Sequence, residues 1–385
     1  MADVGSDDPS MLGELTAEVL DFVRGPGEAY AAEIERARRV PAGLREDLRD
    51  RGYLRLAAPE SLGGRGLPFC DYLQLLELFS MSHASLRMIV HVCNGIWRAI
   101  EPYANDEQRE RFLLPQIRGD IMVAFTLTEP TAGTGADIRA SVEREGDTYY
   151  LSGEKHLITF GVSCDHWLLF ARVAGSRGKD GTVALMVDRR APGVKVEAMP
   201  ETMGVRGTDH AHLVFDRTPV PVSSRLGEEG QGLDVALSGF LTPSRIAIGM
   251  TCVGLARRAQ ELAVEHARRR QTFGKPLAAR QAIAYSIAEN ATDIEAARQL
   301  VLHAARRWEA GDPGAAALSS MAKLNGVDML TRVTDKALQV HGGIGYWQPN
   351  PIERIYRDAR AQRFEEGTNE IQKTVIARQI FSQAG

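Results

Sequence analysis

Ten residues close to the C-terminal end, RFEEGTNEIQ from Arg363 to Gln372, carry residue types at a spacing that chemistry can use. Glu365 and Glu366 precede Gly367, and Thr368 and Asn369 stand where they cap a helix expected from Glu370 to Phe381. A carboxylate on such a turn lies beside the free N–H groups of a helix start, and those groups bind anions, phosphates included. The chemistry on offer is a general base next to a phosphate-bearing ligand. An acidic residue in an ordinary capped helix start reads the same way, so the rest of the chain has to decide.

Other stretches can approach a nucleotide closely. No G-x-G-x-x-G follows a strand pattern and no G-x-x-x-x-G-K-[ST] occurs, which removes the Rossmann and P-loop routes. Three glycine-bearing segments remain: LTEPTAGTGAD from Leu127, HGGIGY from His341 and EEGTNE from Glu365. RRRQTFGKPL, Arg268 to Leu277, adds guanidinium groups, a threonine and an aromatic ring, a set suited to a pyrophosphate. Each segment alone also reads as a turn or a solvated helix end.

Three units are expected to position these groups, an α+β arrangement of an N-terminal helical domain (1–121), a middle β domain (122–233) and a C-terminal helix bundle (234–385). Amphipathic runs at Leu12 to Val23, Ala42 to Arg51, Cys70 to Ser80 and Glu107 to Ile117 make the first unit helical, with an irregular Pro/Gly-rich crossing from Leu54 to Pro68. His83 and His91 lie in an apolar helical stretch and read as core histidines. From Val123 to Phe215 six short apolar segments separated by turn residues read as strands. Strands grouped in this way, without alternating helices, argue against a doubly wound sheet. After Gly232 the helical period returns, with Ile283, Ile287, Ile294, Val301 and Trp308 along one long helix.

Composition bounds the partners. The chain has 385 residues, 44% of them hydrophobic, and a formal charge of −4. It is large enough for a substantial core and carries no basic footprint for nucleic acid. The N-terminus MADVGSDDPS lacks a signal-peptide core, and no uninterrupted apolar run of membrane-spanning length is found, so a cytoplasmic protein without membrane attachment is expected. Cys70, Cys93, Cys164 and Cys252 show no paired spacing and fit reduced thiols rather than disulfide or metal sites.

Taken in order, the motifs resemble the acyl-CoA dehydrogenase family over nearly the whole chain. They are FTLTEPTAGT, GEKHLIT at Gly153, MGVRGTD at Met203, LGEEGQG at Leu226, RQTFGK at Arg270, Gln281, LQVHGGIG at Leu338 and the final EEGT. The resemblance implies a middle β-barrel between two helical domains and a homotetramer or dimer built around FAD. It further implies that Glu366 removes the α-proton of an acyl thioester while the β-hydrogen leaves as hydride to flavin N5. The thioester carbonyl would be held by the N–H of Glu366 and a flavin hydroxyl. Some relatives keep the base just before the arginine matching Arg245; here that position is Ser244, which leaves Glu366.

By the same resemblance the flavin contacts are Phe125, Leu127, Thr128, Gly133, Thr134, Leu157 and Thr159. Arg270, Thr272, Phe273, Gln281, Gln339, Gly342 and Gly343 would reach it from a neighbouring subunit, and Thr368 and Glu370 would complete its phosphate and adenosine end. Arg245, Thr242, Thr134, Glu365 and Gly367 are the expected substrate contacts, and an electron-transfer flavoprotein is the expected acceptor. Several positions depart from the common pattern: Leu157 replaces a tryptophan, Phe160 an asparagine, and Thr242 and Gly135 aspartates, while Glu365 replaces a tyrosine or glycine. A second carboxylate beside the base raises the proton affinity of the pair unless Arg245 or a cationic substrate group neutralises it. These departures leave open an acyl group carried on a carrier protein's phosphopantetheine. A flavin oxidase or monooxygenase is disfavoured by Glu366, and a DNA-associated relative by the net acidity.

Overall fold

In the computed structural model, which describes residues 9–131 and 137–383, helical periodicity produces seven N-terminal helices. They are α1 (Pro9–Arg24), α2 (Pro26–Ala37), α3 (Leu44–Asp50), α4 (Phe69–Phe79), α5 (Ala84–Ile100), α6 (Asp106–Gln108) and α7 (Leu114–Arg118). A π-helical stretch, Arg109–Leu113, joins the last two. Helix α5 is buried along almost its whole length and begins at His83, whose ring accepts the Ser85 N–H at 3.0 Å. His83 is therefore a helix cap, with its other ring nitrogen 3.2 Å from Glu35.

The strands are β1 (Val123–Thr126), β2 (Ser141–Glu145), β3 (Thr148–Thr159), β4 (His166–Val173), β5 (Thr182–Asp188), β6 (Val194–Ala198), β7 (His210–Pro221) and β8 (Arg225–Leu226). They form one sheet in the order β6-β7-β3-β2-β4-β5-β8, with β1 parallel to β4. Among the described residues the edge strands β6 and β8 are not joined, so the unit is a barrel-like sheet left open. Both of its faces are covered. On β4 and β5, Trp167, Leu169, Ala171, Val183, Leu185 and Val187 enter one core, and the alternating Leu168, Phe170, Ala184 and Met186 enter another. The period-two alternation of a strand thus fills two cores at once. Two register breaks in the β3–β7 pairing, at Leu151/Gly153 and Lys155/Ile158, bulge β3 beside the expected cofactor residues.

The C-terminal unit holds α8 (Gly232–Asp234), the π-helix Val235–Leu241, α9 (Thr242–Arg269), a hairpin of β9 (Gln271–Thr272) and β10 (Lys275–Pro276), α10 (Gln281–Glu309), α11 (Ala315–His341), α12 (Pro351–Ala361) and α13 (Asn369–Gln383). The segment Gly232–Arg269 is long and apolar enough to cross a membrane, but 89% of its most apolar window is buried inside the protein, as in a core helix. A Cβ at Gly326 would lie 3.1 Å from the Gly249 carbonyl oxygen, so α9 and α11 meet backbone to backbone. This close seam fixes the start of α9 beneath the turn between α12 and α13, where Glu366 stands.

Candidate active site

The turn is built from two successive left-handed residues, Glu366 (φ 55°) and Gly367 (φ 94°). Glycine adopts that conformation freely; glutamate does so at a cost that the surroundings have to offset. Three side chains hold the turn. Arg245 Nε and Gln372 Nε2 donate to the Glu366 carbonyl at 3.3 and 3.1 Å, while Lys323 Nζ and Gln372 Nε2 donate to the Gly367 carbonyl. Burial pulls the Lys323 ammonium down to about 8. With both carbonyls engaged, the Glu366 N–H finds no protein acceptor among the described residues.

The Glu366 carboxyl is pushed up to about 7, chiefly by burial and further by Glu365, against the pull of Ser244, Arg245 and Lys323. By accessible surface the residue is half-buried. Ser244 Oγ donates to Glu366 Oε1 at 2.8 Å, and His91 Nε2 lies 2.8 Å from Ser244 Oγ. His91 is 3% exposed and burial holds its ring down at about 3, so it is neutral. A neutral ring that donates through Nε2 leaves the serine proton free to point at the carboxylate, which gives the chain His91–Ser244–Glu366 one consistent direction.

The neighbouring carboxylate is neutralised by a group the sequence reading did not name. Arg87 of α5, fully buried, grips Glu365 through both guanidinium nitrogens at 3.1–3.2 Å, and Gln362 adds a bond at 3.1 Å. The expectation that Arg245 or a substrate cation does this is corrected. Arg245 points to the backbone of Glu366, and the Glu365 carboxylate is committed to Arg87. The two adjacent glutamates thus end in different surroundings, one held in an arginine fork and the other, at about 7, divided between its two protonation states at neutral pH.

A second surface lies on the sheet. The backbone after β1 is pinned to β3 by His156 N–H donating to Thr128 O at 2.9 Å and by Lys155 Nζ donating to Leu127 O at 3.0 Å. Lys155 and Glu129, both buried, pair at 2.9 Å, and Glu129 also accepts the N–H groups of Arg139 and Ala140. This pair clamps the two ends of the segment carrying Gly133, Thr134 and Gly135, which lie outside the described residues. Phe125, Thr128 and Thr159 are half-buried beside it, Leu127 is buried, and Leu157, at φ 58° in the β3 bulge, is 55% exposed. An apolar side chain turned outward by a bulge, flanked by threonine hydroxyls, is a surface an aromatic ring system would cover. These residues fit a flavin.

The remaining expected cofactor residues lie at one end of the bundle. Arg270, Phe273 and Gln281 are exposed on the β9–β10 hairpin and the start of α10, with Thr272 half-buried between them. Gln339, Gly342 and Gly343 are exposed at the end of α11. His266 stacks on His341 at 4.5 Å and ties the two groups together. Among the described residues no hydrogen bond or ring contact within the chain ties them to the β3 bulge. Thr368 and the exposed Glu370 open α13, and Thr242, half-buried, donates back to Leu237 O at 2.9 Å. A cavity of about 490 Å³ between α2–α3 and the loop before β7, lined by Arg38, Arg45, Met199 and His210, meets this site only at Phe160 and holds none of the reacting groups named above.

Arg87, Lys155 and Lys323 were not singled out in sequence, and His91 was read there only as a core histidine. Lys155 falls inside the GEKHLIT motif, and that placement was its available signal.

Comparison with known proteins supplies the context. Three family models match in order: acyl-CoA dehydrogenase N-terminal domain over residues 12–120, middle domain over 124–218 and C-terminal domain over 230–381. The sequence is 34% identical over 365 residues to an acyl-CoA dehydrogenase of Bacillus subtilis (strain 168), covering 94% of this chain and 96% of that one. The fold superposes on butyryl-CoA dehydrogenase from Megasphaera elsdenii with a TM-score of 0.92 and 30% identity, over 99% of this chain and 100% of the other. A chain in a structure described as the electron transferring flavoprotein of Acidaminococcus fermentans matches with a TM-score of 0.91 and 30% identity, over 99% of each.

Proposed function

This chain belongs to the acyl-CoA dehydrogenase family, and from that membership we propose that Glu366 is the base that takes the α-proton of its acyl-CoA substrate. The protein is an FAD-dependent oxidoreductase that dehydrogenates an acyl-CoA to the 2,3-enoyl-CoA. The observation that carries the assignment of the base is a carboxyl at about 7 on the same residue as an unengaged backbone N–H.

An α-proton next to a thioester is far too weakly acidic for an ordinary carboxylate. Two features of the chain narrow that gap. Burial raises the proton affinity of Glu366 towards the working pH, where a base is most effective. The Glu366 N–H donates to the thioester carbonyl oxygen, where negative charge develops as the proton leaves. The left-handed turn presents both groups from one residue, and Arg245, Lys323 and Gln372 hold that turn in place. Ser244 orients the carboxylate and moderates its basicity, and His91 orients Ser244. Once protonated, Glu366 is the neutral acid that its buried setting favours.

When bound, FAD supplies a two-electron acceptor for the β-hydrogen. Phe125, Leu127, Thr128, Leu157 and Thr159 would hold its ring system, with Arg270, Thr272, Phe273, Gln281, Gln339, Gly342 and Gly343 reaching it from a second copy. A homotetramer or dimer is part of the proposal, supported by side chains such as Phe273, Tyr346 and Phe381 that are 96%, 77% and 76% exposed in the single chain. So is an electron-transfer flavoprotein as acceptor, supported by the Acidaminococcus match. A reducing, cytoplasmic setting completes it, in keeping with four unpaired cysteines. The carrier-protein alternative is not favoured, since the relatives above are named for CoA thioesters.

Anaerobic mixing of the purified flavoprotein with acyl-CoA thioesters from short to long, branched and aromatic members included, tests the reading. Rapid loss of flavin absorbance with one class is the expected result. Bleaching by dithionite and by no acyl-CoA would contradict it.

A further inference from the structure

A narrow seam runs from the base between α5 and the start of α9. His91, Gly95 and Arg98 share one face of α5 by their spacing, and Phe240, Ser244 and Ala247 face them. The open volume is about 10 Å³, room for about one water. Its near end is Ser244, hydrogen-bonded to Glu366. Its far end is Arg98 with Tyr72 of α4, seven residues or roughly 10 Å further along α5 than His91.

That far end holds more donors than acceptors. Arg98 donates to Asn94 O at 2.7 Å and lies over the rings of Trp97, Phe69 and Trp308 at 4.5, 5.2 and 5.8 Å. Among the described residues no carboxylate pairs with it. Its electrostatic neighbours are Tyr72 and Glu309, and the Glu309 carboxylate is held by the Phe69 N–H at 2.5 Å. Tyr72 is 1% exposed and its hydroxyl has no hydrogen-bond partner. A half-buried guanidinium with no carboxylate within ion-pair distance and a buried hydroxyl without an acceptor are each unfavourable, and an apolar acyl tail would relieve neither.

We propose that this seam takes the acyl chain and that the acyl group ends in a carboxylate, which makes the substrate the CoA monothioester of a dicarboxylic acid. A terminal carboxylate offers two acceptor oxygens, one for the Arg98 fork and one for the Tyr72 hydroxyl. Phe240 occupies the middle of the seam. Its ring stacks on Phe125 at 4.6 Å, and a Cβ at Gly95 would stand 3.1 Å from its edge, so glycine there is what lets the ring lie in the seam. The ring is carried by the π-helix Val235–Leu241, a form that recurs at functional sites, and an entering chain displaces it. The inference rests on the dehydrogenase reading given above and adds the class of acyl group to it.

The test compares matched pairs on the holoenzyme by anaerobic flavin reduction: pentanoyl- with glutaryl-CoA, hexanoyl- with adipoyl-CoA and octanoyl- with suberyl-CoA. In at least one pair the carboxylate member should reduce the flavin roughly 10- to 100-fold faster at equal low concentration, the size expected of a hydrogen bond to a charged group. Arg98→Met should bring that ratio towards one. Tyr72→Phe, which removes a single oxygen and keeps the ring, should lower it several-fold, so the proposal stays testable if Arg98→Met does not fold. Equal or faster reduction by every unsubstituted member, or a ratio unchanged in both variants, overturns the inference and leaves the dehydrogenase reading standing. If neither member of any pair bleaches a flavin that dithionite reduces, that reading itself fails and takes the inference with it.

Discussion

Ser244→Ala isolates one contribution to the proton affinity of the base. In the folded protein Glu366 sits at about 7, and the Ser244 hydrogen bond at 2.8 Å is the largest influence holding it from going higher. A hydrogen bond to a charged group contributes about 1.5–3 kcal/mol. At 1.36 kcal/mol per pH unit, its loss moves the acid limb of flavin reduction up by about 1 to 2 pH units. At pH 7.5 the ionised fraction of the base then falls from about three quarters to between a quarter and a few per cent, so reduction slows roughly 3- to 25-fold. The assay is stopped-flow reduction by saturating acyl-CoA from pH 6 to 10. Ser244→Ala should converge on the wild type at the alkaline end, and Ser244→Thr, which keeps the hydroxyl, should restore the original limb. A limb that stays at the same pH while the plateau drops would refute the reasoning, because Ser244 would then act on geometry alone.

Three further outcomes follow from the same contacts. Arg87→Met leaves the Glu365 carboxylate without its cation and should lower stability by about 3–5 kcal/mol, read as a fall in thermal midpoint; recovery in Arg87→Met/Glu365→Met would identify the unpaired charge as the cause. Lys155→Met strands Glu129 in the same way and, by loosening the segment between Glu129 and Arg139, should lower bound FAD per chain; unchanged FAD content would contradict that clamp. Glu366 is raised from 4.5 to about 7 on folding, so its stabilising contribution is present below about 4.5 and lost as pH rises through about 7. Glu366→Gln, neutral throughout, should therefore gain stability over the wild type between pH 4.5 and 8, by at most about 3 kcal/mol, and a difference that is flat over that range would count against the raised proton affinity.

The local parts of this site were legible in the sequence. The Glu-Gly turn before a capped helix, the six apolar strand segments and the period of α10 are short-range patterns, and α13 starts within a residue of its expected place. Helices α2 and α12 were passed over although each begins at a proline, and Asn350 before Pro351 is a cap by its type, its side chain accepting the Ile352 N–H at 3.2 Å. Strand β2, SVERE, buries only Val142, too little to show alternation. The register breaks of β3 hid its full length, and with it the outward turn of Leu157. What sequence could not show were partners brought together by tertiary packing. Arg87 and Glu365 are 278 residues apart, and His91 reaches the base only through Ser244, 153 residues away. An arginine and a histidine in an apolar helix carry no local sign of such a role.

The central claim is that Glu366 is the base. Its most direct test is anaerobic mixing of an acyl-CoA that bleaches the wild-type flavin with Glu366→Gln purified with FAD bound. The variant should keep its oxidised spectrum over many wild-type turnover times while still binding the thioester. Flavin reduction in Glu366→Gln at the wild-type rate would contradict the account.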